Sequence, residues 1–402
     1  MSVSMLDAVT PRKTVEQLPP PLPIHLVVAT NFIAPHTLSG WFALDRRVEK
    51  LTILLSTQME ANRPWPPEWG DLDVRIQRTT TLKRSWGHRL GFRDASFMHF
   101  PWDMVGQLRK LKPDVVISAE LGARSFLCSL YRMFARNVPL IVWCGLSEHT
   151  EKSRGRLRHL LRRGLLKFPD CVLINGASGQ RYLEAQGLSS QRIHHYSYAT
   201  IPAMYEAGSD SRPDSAAHRL VYVGQLIDRK GALPFATALT RWCQQNPRRQ
   251  VEFELFGSGP QQSQIESLDL PDNLRLIFHG ESQYDAIIRG LCDGGIFAFP
   301  TLADEWGLAV NEAMASGLPV LGSVYSQAVD ELVSDGENGW RFRPDDPREL
   351  YTAIDAALNS SADELNQMRV AARERVRPLT PEKTADDVVQ AIRKLMPQLG
   401  PS

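Results

Sequence analysis

The sequence predicts an α/β protein made of two doubly wound domains in tandem, and three observations carry this. Short apolar runs alternate with helical stretches along the whole chain, and several runs are rich in Val and Ile, as in strands buried on both faces of a parallel sheet. The alternation restarts after a polar, aperiodic stretch at 206–218, EAGSDSRPDSAAH. Charge divides near the same place. Residues 1–200 hold 27 of the 46 Lys+Arg and 16 of the 45 Asp+Glu, a net of +11, which leaves −10 for 201–402 behind an overall +1.

With 402 residues and 43% hydrophobic content, the chain is excluded from the disordered, collagenous and small disulfide-scaffold classes. The cysteines Cys128, Cys144, Cys171, Cys243 and Cys292 are odd in number and form no C-x-x-C pair, which fits a reducing cytoplasm and no zinc site. Residues 1–22 have no apolar core of a signal peptide and read as a flexible lead-in. The longest apolar runs are strand-sized, so a soluble or peripheral protein is expected.

Taken in order, the strand-like runs of a first domain, 23–200, are 24–29, 51–55, 115–118, 140–143 and 171–174, with helices at 104–112 and 122–134. A linker spans 201–218. The second domain, 219–379, shows runs at 220–223, 251–256, 274–278, 296–299 and 319–321. Thr380 followed by Pro-Glu-Lys starts a last helix to 396, expected to pack back toward the first domain. A ligand is expected in the cleft between two such domains.

The most informative stretch is 300–323, PTLADEWGLAVNEAMASGLPVLGS. Pro300 closes a strand; Asp304, Glu305, Trp306 and Gly307 form a loop; a helix starts at Leu308 and stops at Gly317. Gly307 allows close backbone approach at a helix N-terminus, where free N–H groups favour a phosphate. Asp304 before the helix and Glu312 one turn into it flank that position and suit acceptance of hydrogen bonds from sugar hydroxyls. A second stretch, LVYVGQLIDRKGA at 220–232, sets Arg229 and Lys230 before a helix, placed to neutralise a diphosphate. The Gly-rich turn LFGSGPQ holds Gly257 and Gly259, and Ser323, Ser326 and Gln327 form a further loop.

These stretches resemble the retaining glycosyltransferases of family 4. Asp304-x7-Glu312 with Trp-Gly-Leu between is similar to the family's E-x7-E signature, and Asp335-Gly336-x-Asn338-Gly339 to its D/E-G-x-N-G turn. The 220–232 stretch is similar to G-R-L-x-x-x-K-G, with Lys230 at the lysine, Gln225 where arginine is common, and Arg229 as the second cation. The resemblance implies the GT-B fold, two Rossmann-like domains facing across a cleft. It implies Asp304 on the transferred sugar, Glu312 on the nucleotide ribose, and Gly224, Gln225, Gly257, Gly259, Glu305, Trp306, Gly307 and Leu308 around a nucleoside-diphosphate sugar. Asp304 departs from the usual Glu, and Glu305 offers the longer arm one position on. No cofactor and no metal are implied, because no Asp-x-Asp pair accompanies the motif.

In the first domain the histidine that many members place at a strand end corresponds to Cys144. Glu120, Glu148 and His149 are candidates for acid/base or acceptor-orienting roles. Residues 151–168, EKSRGRLRHLLRRGLLKF, form a basic amphipathic helix with Leu157, Leu160, Leu161, Leu165 and Phe168 on one face. Its leucines are expected to pack on the sheet, with Arg154, Arg158, Arg162, Arg163 and Lys167 toward an anionic membrane surface. The expected activity is transfer of a sugar to a saccharide or lipid-linked saccharide acceptor in polysaccharide or glycolipid assembly, with no nucleic-acid partner. The alternatives are an epimerase or hydrolase acting on nucleotide sugars and an inert scaffold of the same fold.

Overall fold

The structure, a computed structural model, describes residues 19–60, 67–152 and 154–399. The lead-in expected for 1–22 lies largely outside them, and Leu22 already belongs to a strand. The described residues form two compact units. One comprises 19–87, 94–201 and 379–399, and the other 88–93 and 202–378.

The first unit is built on β1 (Leu22–Thr30), β2 (Val48–Leu55), β3 (Asp73–Ile76), β4 (Thr79–Gly87), β5 (Arg93–Pro101), β6 (Val115–Ala119), β7 (Leu140–Cys144), β8 (Cys171–Ile174) and β9 (Ile193–His195). Its helices are α1 (Leu38–Asp45), α2 (Met104–Leu111), α3 (Ala123–Phe134), α4 (Glu148–Glu151), α5 (Arg156–Leu165) and α6 (Ala177–Ala185). The main sheet runs β3-β2-β1-β6-β7-β8-β9, with parallel pairing throughout. Leu26–Ala29 in β1 and Val115–Ser118 in β6 are buried, which is why these segments read as continuous apolar runs. The hairpin β4–β5 forms a separate two-stranded sheet. Its β4 is mostly exposed and its polar composition gave no apolar run to read.

The second unit contains α7 (Pro202–Ala207), β10 (Arg219–Val223), α8 (Ala232–Gln245), β11 (Val251–Phe256), α9 (Gln262–Glu266), β12 (Leu274–Gly280), α10 (Tyr284–Asp293), β13 (Ile296–Phe299), α11 (Leu308–Ala315), β14 (Val320–Ser323), α12 (Gln327–Leu332), β15 (Gly339–Phe342), α13 (Pro347–Asn359) and α14 (Ala362–Val376). The sheet order is β12-β11-β10-β13-β14-β15. Both sheets therefore have a point where the winding reverses, between β1 and β6 in one and between β10 and β13 in the other. Loops leaving the carboxyl ends of such a strand pair diverge and open a crevice.

Two differences from the sequence reading have physical causes. The stretch expected as a linker, 201–218, is partly ordered: α7 packs on α10 and α11, and Met204 and Ala216 are buried in the second unit. Six helical residues are too few to show a period. The last helix, α15 (Pro381–Leu395), packs on α1, and Ala385, Val388 and Ile392 complete the core of the first unit. Thr380 Oγ1 caps it by accepting from Lys383 N at 3.1 Å.

The second difference is α5. Three of its leucines do not pack inward: Leu157, Leu160 and Leu161 are 71%, 68% and 66% exposed, while Leu165 packs against the core. The inward side is charged instead. Arg162 is buried, forming an ion pair with Glu151 and donating to Tyr182 Oη at 3.0 Å. Arg158 lies 3.3 Å from Glu151. A buried carboxylate on α4 thus sets the helix rotation, because Glu151 unpaired at that depth costs more than exposing leucines. Arg154 stacks on Trp86, 3.5 Å from the ring centroid. Of the five basic candidates for a membrane contact, Arg163 and Lys167 are exposed and Arg162 is removed from the surface.

Candidate active site

The second unit gathers its motif residues at the β10/β13 reversal. Arg229 and Lys230 follow β10, and the loop 300–307 follows β13. The two loops are stitched together: Leu302 N donates to Arg229 O at 2.7 Å, and Arg229 Nη1 donates to Ala303 O at 3.1 Å. The contact needs Gly231. Its φ is 70°, and a Cβ there would run into the Pro300 carbonyl oxygen. The Lys230 ammonium forms an ion pair with Asp304 Oδ2, and Arg229 Nη1 lies 3.8 Å from the same oxygen. Burial pushes the Asp304 carboxyl up, but Lys230 and Arg229 beside it more than offset this and hold it below its ordinary range.

Gly307 starts α11 with φ 104°, and a Cβ would stand 2.6 Å from Ser326 Oγ and against the Phe299 ring. Its N-cap, Gly307, makes no side-chain cap, which leaves the first-turn N–H groups and the positive end of the dipole at this terminus. The loop of Ser326 and Gln327, from which a site role was less expected, holds the carboxylate loop in place. Ser326 Oγ donates to Trp306 O, Ala328 N donates to Trp306 O at 2.9 Å, and Gln327 Nε2 donates to Glu305 O. The Trp306 ring is buried, with its N–H donated to Asn311 Oδ1 at 2.9 Å, so it anchors the loop rather than offering a face to a ligand. The Glu305 side chain is exposed and Leu308 is half-buried.

Glu312 sits on α11, 7% exposed, and accepts the Tyr284 hydroxyl at 2.9 Å. Burial raises its carboxyl to about 7, although the Tyr284 hydrogen bond opposes the rise. Burial and the neighbouring Glu312 carboxylate together hold the Tyr284 hydroxyl well above its ordinary value. Tyr284 was not legible as a site residue, since its partner lies 28 positions on. Gly224, Gln225, Gly257 and Gly259 lie in the loops that follow β10 and β11. Gly224 N donates to Phe256 O at 2.9 Å, and Leu226 N donates to Ser258 O at 2.8 Å, zipping the loops after β10 and β11 together.

In the first unit, Glu120 lies at the end of β6, Cys144 is buried at the end of β7, and Glu148 opens α4. Glu148 Oε2 is held by Arg181 at 2.8 Å and by Ser178. His149 is half-buried in the same turn. Among the described residues no group of three or more His, Cys, Asp and Glu side chains is arranged to hold a metal ion.

The partly buried Asp304 and the buried Glu312 stand at the start of α11, with two cations on the first of them. The family of glycosyl transferases group 1 matches residues 217–360, and the glycosyl transferase 4-like domain matches residues 27–199. The chain belongs to the group 1 glycosyltransferases. Among relatives of this glycosyltransferase, the putative colanic acid biosynthesis glycosyltransferase WcaL of Salmonella typhimurium is 27% identical over 231 residues, 54% of each chain. The amylovoran biosynthesis glycosyltransferase AmsK of Erwinia amylovora is 29% identical over 168 residues, 39% of this chain and 40% of that one. The chain thus matches about half or less of these relatives' length. In fold it is similar to Anabaena HepE, solved in complex with UDP, with a TM-score of 0.69, 15% identity, and coverage of 92% of this chain and 100% of that one. This shared architecture is GT-B. Among the described residues no helix is long and apolar enough to cross a membrane.

Proposed function

We propose that this glycosyltransferase moves a sugar from a UDP-sugar, with retention at the anomeric carbon, to a saccharide or lipid-linked saccharide acceptor, and that no metal takes part. The observation that carries the reading is the pairing of Asp304 with Lys230 and Arg229 beside the open terminus of α11. Two cations on one carboxylate form a clamp that can exchange partners. When the diphosphate enters, the cations turn to it and Asp304 is released toward the hydroxyls of the sugar. The bond from the anomeric carbon to the β-phosphate oxygen then breaks as the acceptor hydroxyl oxygen bonds to that carbon on the same face, the hydroxyl proton passes to the leaving phosphate oxygen, and the cations and helix terminus take up the charge that grows on the leaving UDP. Glu312 accepts from the ribose. UDP as the nucleotude carrier is supported by the UDP and UDP-glucose complexes of HepE. The test is a proton NMR time course with UDP-glucose and a glycoside acceptor. An α-linked first product is expected; a β-linked first product contradicts retention, and sugar turnover without acceptor favours an epimerase or hydrolase.

The acceptor's location is read from α5. Leu157, Leu160 and Leu161 stand outward beside exposed Arg156, Arg163 and Lys167, and the acid of this region, Glu151, is buried and paired. Apolar side chains rimmed by cations suit the cytoplasmic face of a membrane rich in anionic lipid. Phosphatidylglycerol-containing vesicles are expected to carry the protein in flotation at low salt and release it at high salt. Replacing the three leucines by serine should abolish flotation with the fold intact, since none of them is in the core. Flotation unchanged by these substitutions contradicts the assignment.

A further inference from the structure

The first unit has its own winding reversal, between β1 and β6, and the residues there are built around a buried guanidinium. Arg124, in the first turn of α3, is 3% exposed. Its Nη1 donates to Ala119 O at 2.7 Å, and its Nη2 donates to Ser56 Oγ at 3.0 Å and to Asn31 Oδ1. Its buried Nε finds no partner among the described residues. Because Asn31 Oδ1 is taken by a group that can only donate, the other arm of the carboxamide must be the amine. That amine donates to Glu120 Oε1 at 2.7 Å. Ends of β1, β2 and β6 are thereby tied to one cation, and the chain of bonds ends at an exposed carboxylate.

Glu120 is also strained. Its φ is 68°, in the left-handed region that a glutamate rarely occupies, and its backbone is held there from both sides. Glu120 N donates to Trp143 O at 2.8 Å, and Ser125 Oγ donates to Glu120 O. Glycine would take this position without strain, so a side chain kept here at a cost to the backbone points to a task for its carboxylate. No described residue bonds its second oxygen. That oxygen and the remaining amine hydrogen of Asn31 make an acceptor and a donor side by side, the pattern that matches two neighbouring hydroxyls of a sugar ring. The carboxylate itself disfavours an anion.

We infer that Glu120 and Asn31, oriented by Arg124, form a binding site for a neutral glycosyl or polyol group, and that Glu120 sets which acceptor hydroxyl pair is accepted. Its use as an acceptor site rests on the transferase reading above; the binding itself does not. Saturation-transfer NMR with methyl and octyl glucosides and galactosides tests it, with UDP calorimetry as the control for an intact fold. At least one glycoside is expected to bind the wild type, with affinity falling about ten- to a hundred-fold in Glu120→Ala and less in Glu120→Gln. UDP affinity is expected to stay unchanged. Glu120→Gly is expected to melt no lower than the wild type while losing the glycoside. No glycoside binding to the wild type, or binding that Glu120→Ala leaves intact, overturns the inference. A wild type that binds a glycoside but not UDP would instead remove the transferase reading and leave this site standing.

Discussion

Glu312→Ala is expected to lower the transfer rate by about a hundred-fold or more while the protein stays folded. The carboxylate is buried on α11 and its one side-chain partner among the described residues is the Tyr284 hydroxyl at 2.9 Å, which leaves the second oxygen for the ribose hydroxyls proposed above. Removing the carboxylate deletes hydrogen bonds to a charged acceptor in a dry site, where each is worth most. The same burial predicts a pH dependence. The carboxyl sits at about 7 against an ordinary value of 4.5, so the folded protein holds this proton where the unfolded chain has lost it. Its share of stability is complete below pH 4.5 and is lost as the pH rises through about 7, a difference of about 3 kcal/mol at most. Activity runs the other way, because the ionised form is the better acceptor for ribose: kcat/KM for the donor should rise with pH through about 7. Glu312→Gln should flatten that rise and melt higher than the wild type at pH 8. A Glu312→Ala variant with full activity would remove this residue from the site.

Much of the second unit was legible because its chemistry is local. Gly307 and Glu312 lie on one turn-and-helix, and Arg229 and Lys230 on another; spacing alone placed each group at a helix start. What spacing did not show is how the two groups meet. The Lys230–Asp304 pair spans 74 positions, and it depends on Gly231 letting the loops touch. Tyr284 was invisible for the same reason. In the first unit the reading was thinner. Glu120 was reached from its place at a strand end, but Arg124 read as one more cation in a basic half. Only the fold shows that it is buried under Asn31, 93 positions away. The amphipathic pattern of α5 was read correctly and its rotation was not: a 3.6-residue period gives a face, and the buried Glu151 decides where that face points.

Arg229→Ala combined with Lys230→Ala is expected to weaken UDP binding by about a hundred- to a thousand-fold, since two charge-assisted contacts to the diphosphate are lost together. The double variant also strands Asp304. Its carboxyl is largely buried and is held low by these two cations, so without them burial, opposed by the Glu305 backbone hydrogen bond, pushes the carboxyl up. The double variant should therefore lose stability as the pH rises through the carboxylate range, and adding Asp304→Asn should restore it. That rescue separates a clamp on the diphosphate from general damage, because the triple variant folds well and still lacks the cations. Calorimetric titration of UDP into the wild type, the double variant and the triple variant is the most direct measurement of the central claim. Tight binding to the wild type and weak binding to both variants is the result predicted; equal affinity in all three would contradict it.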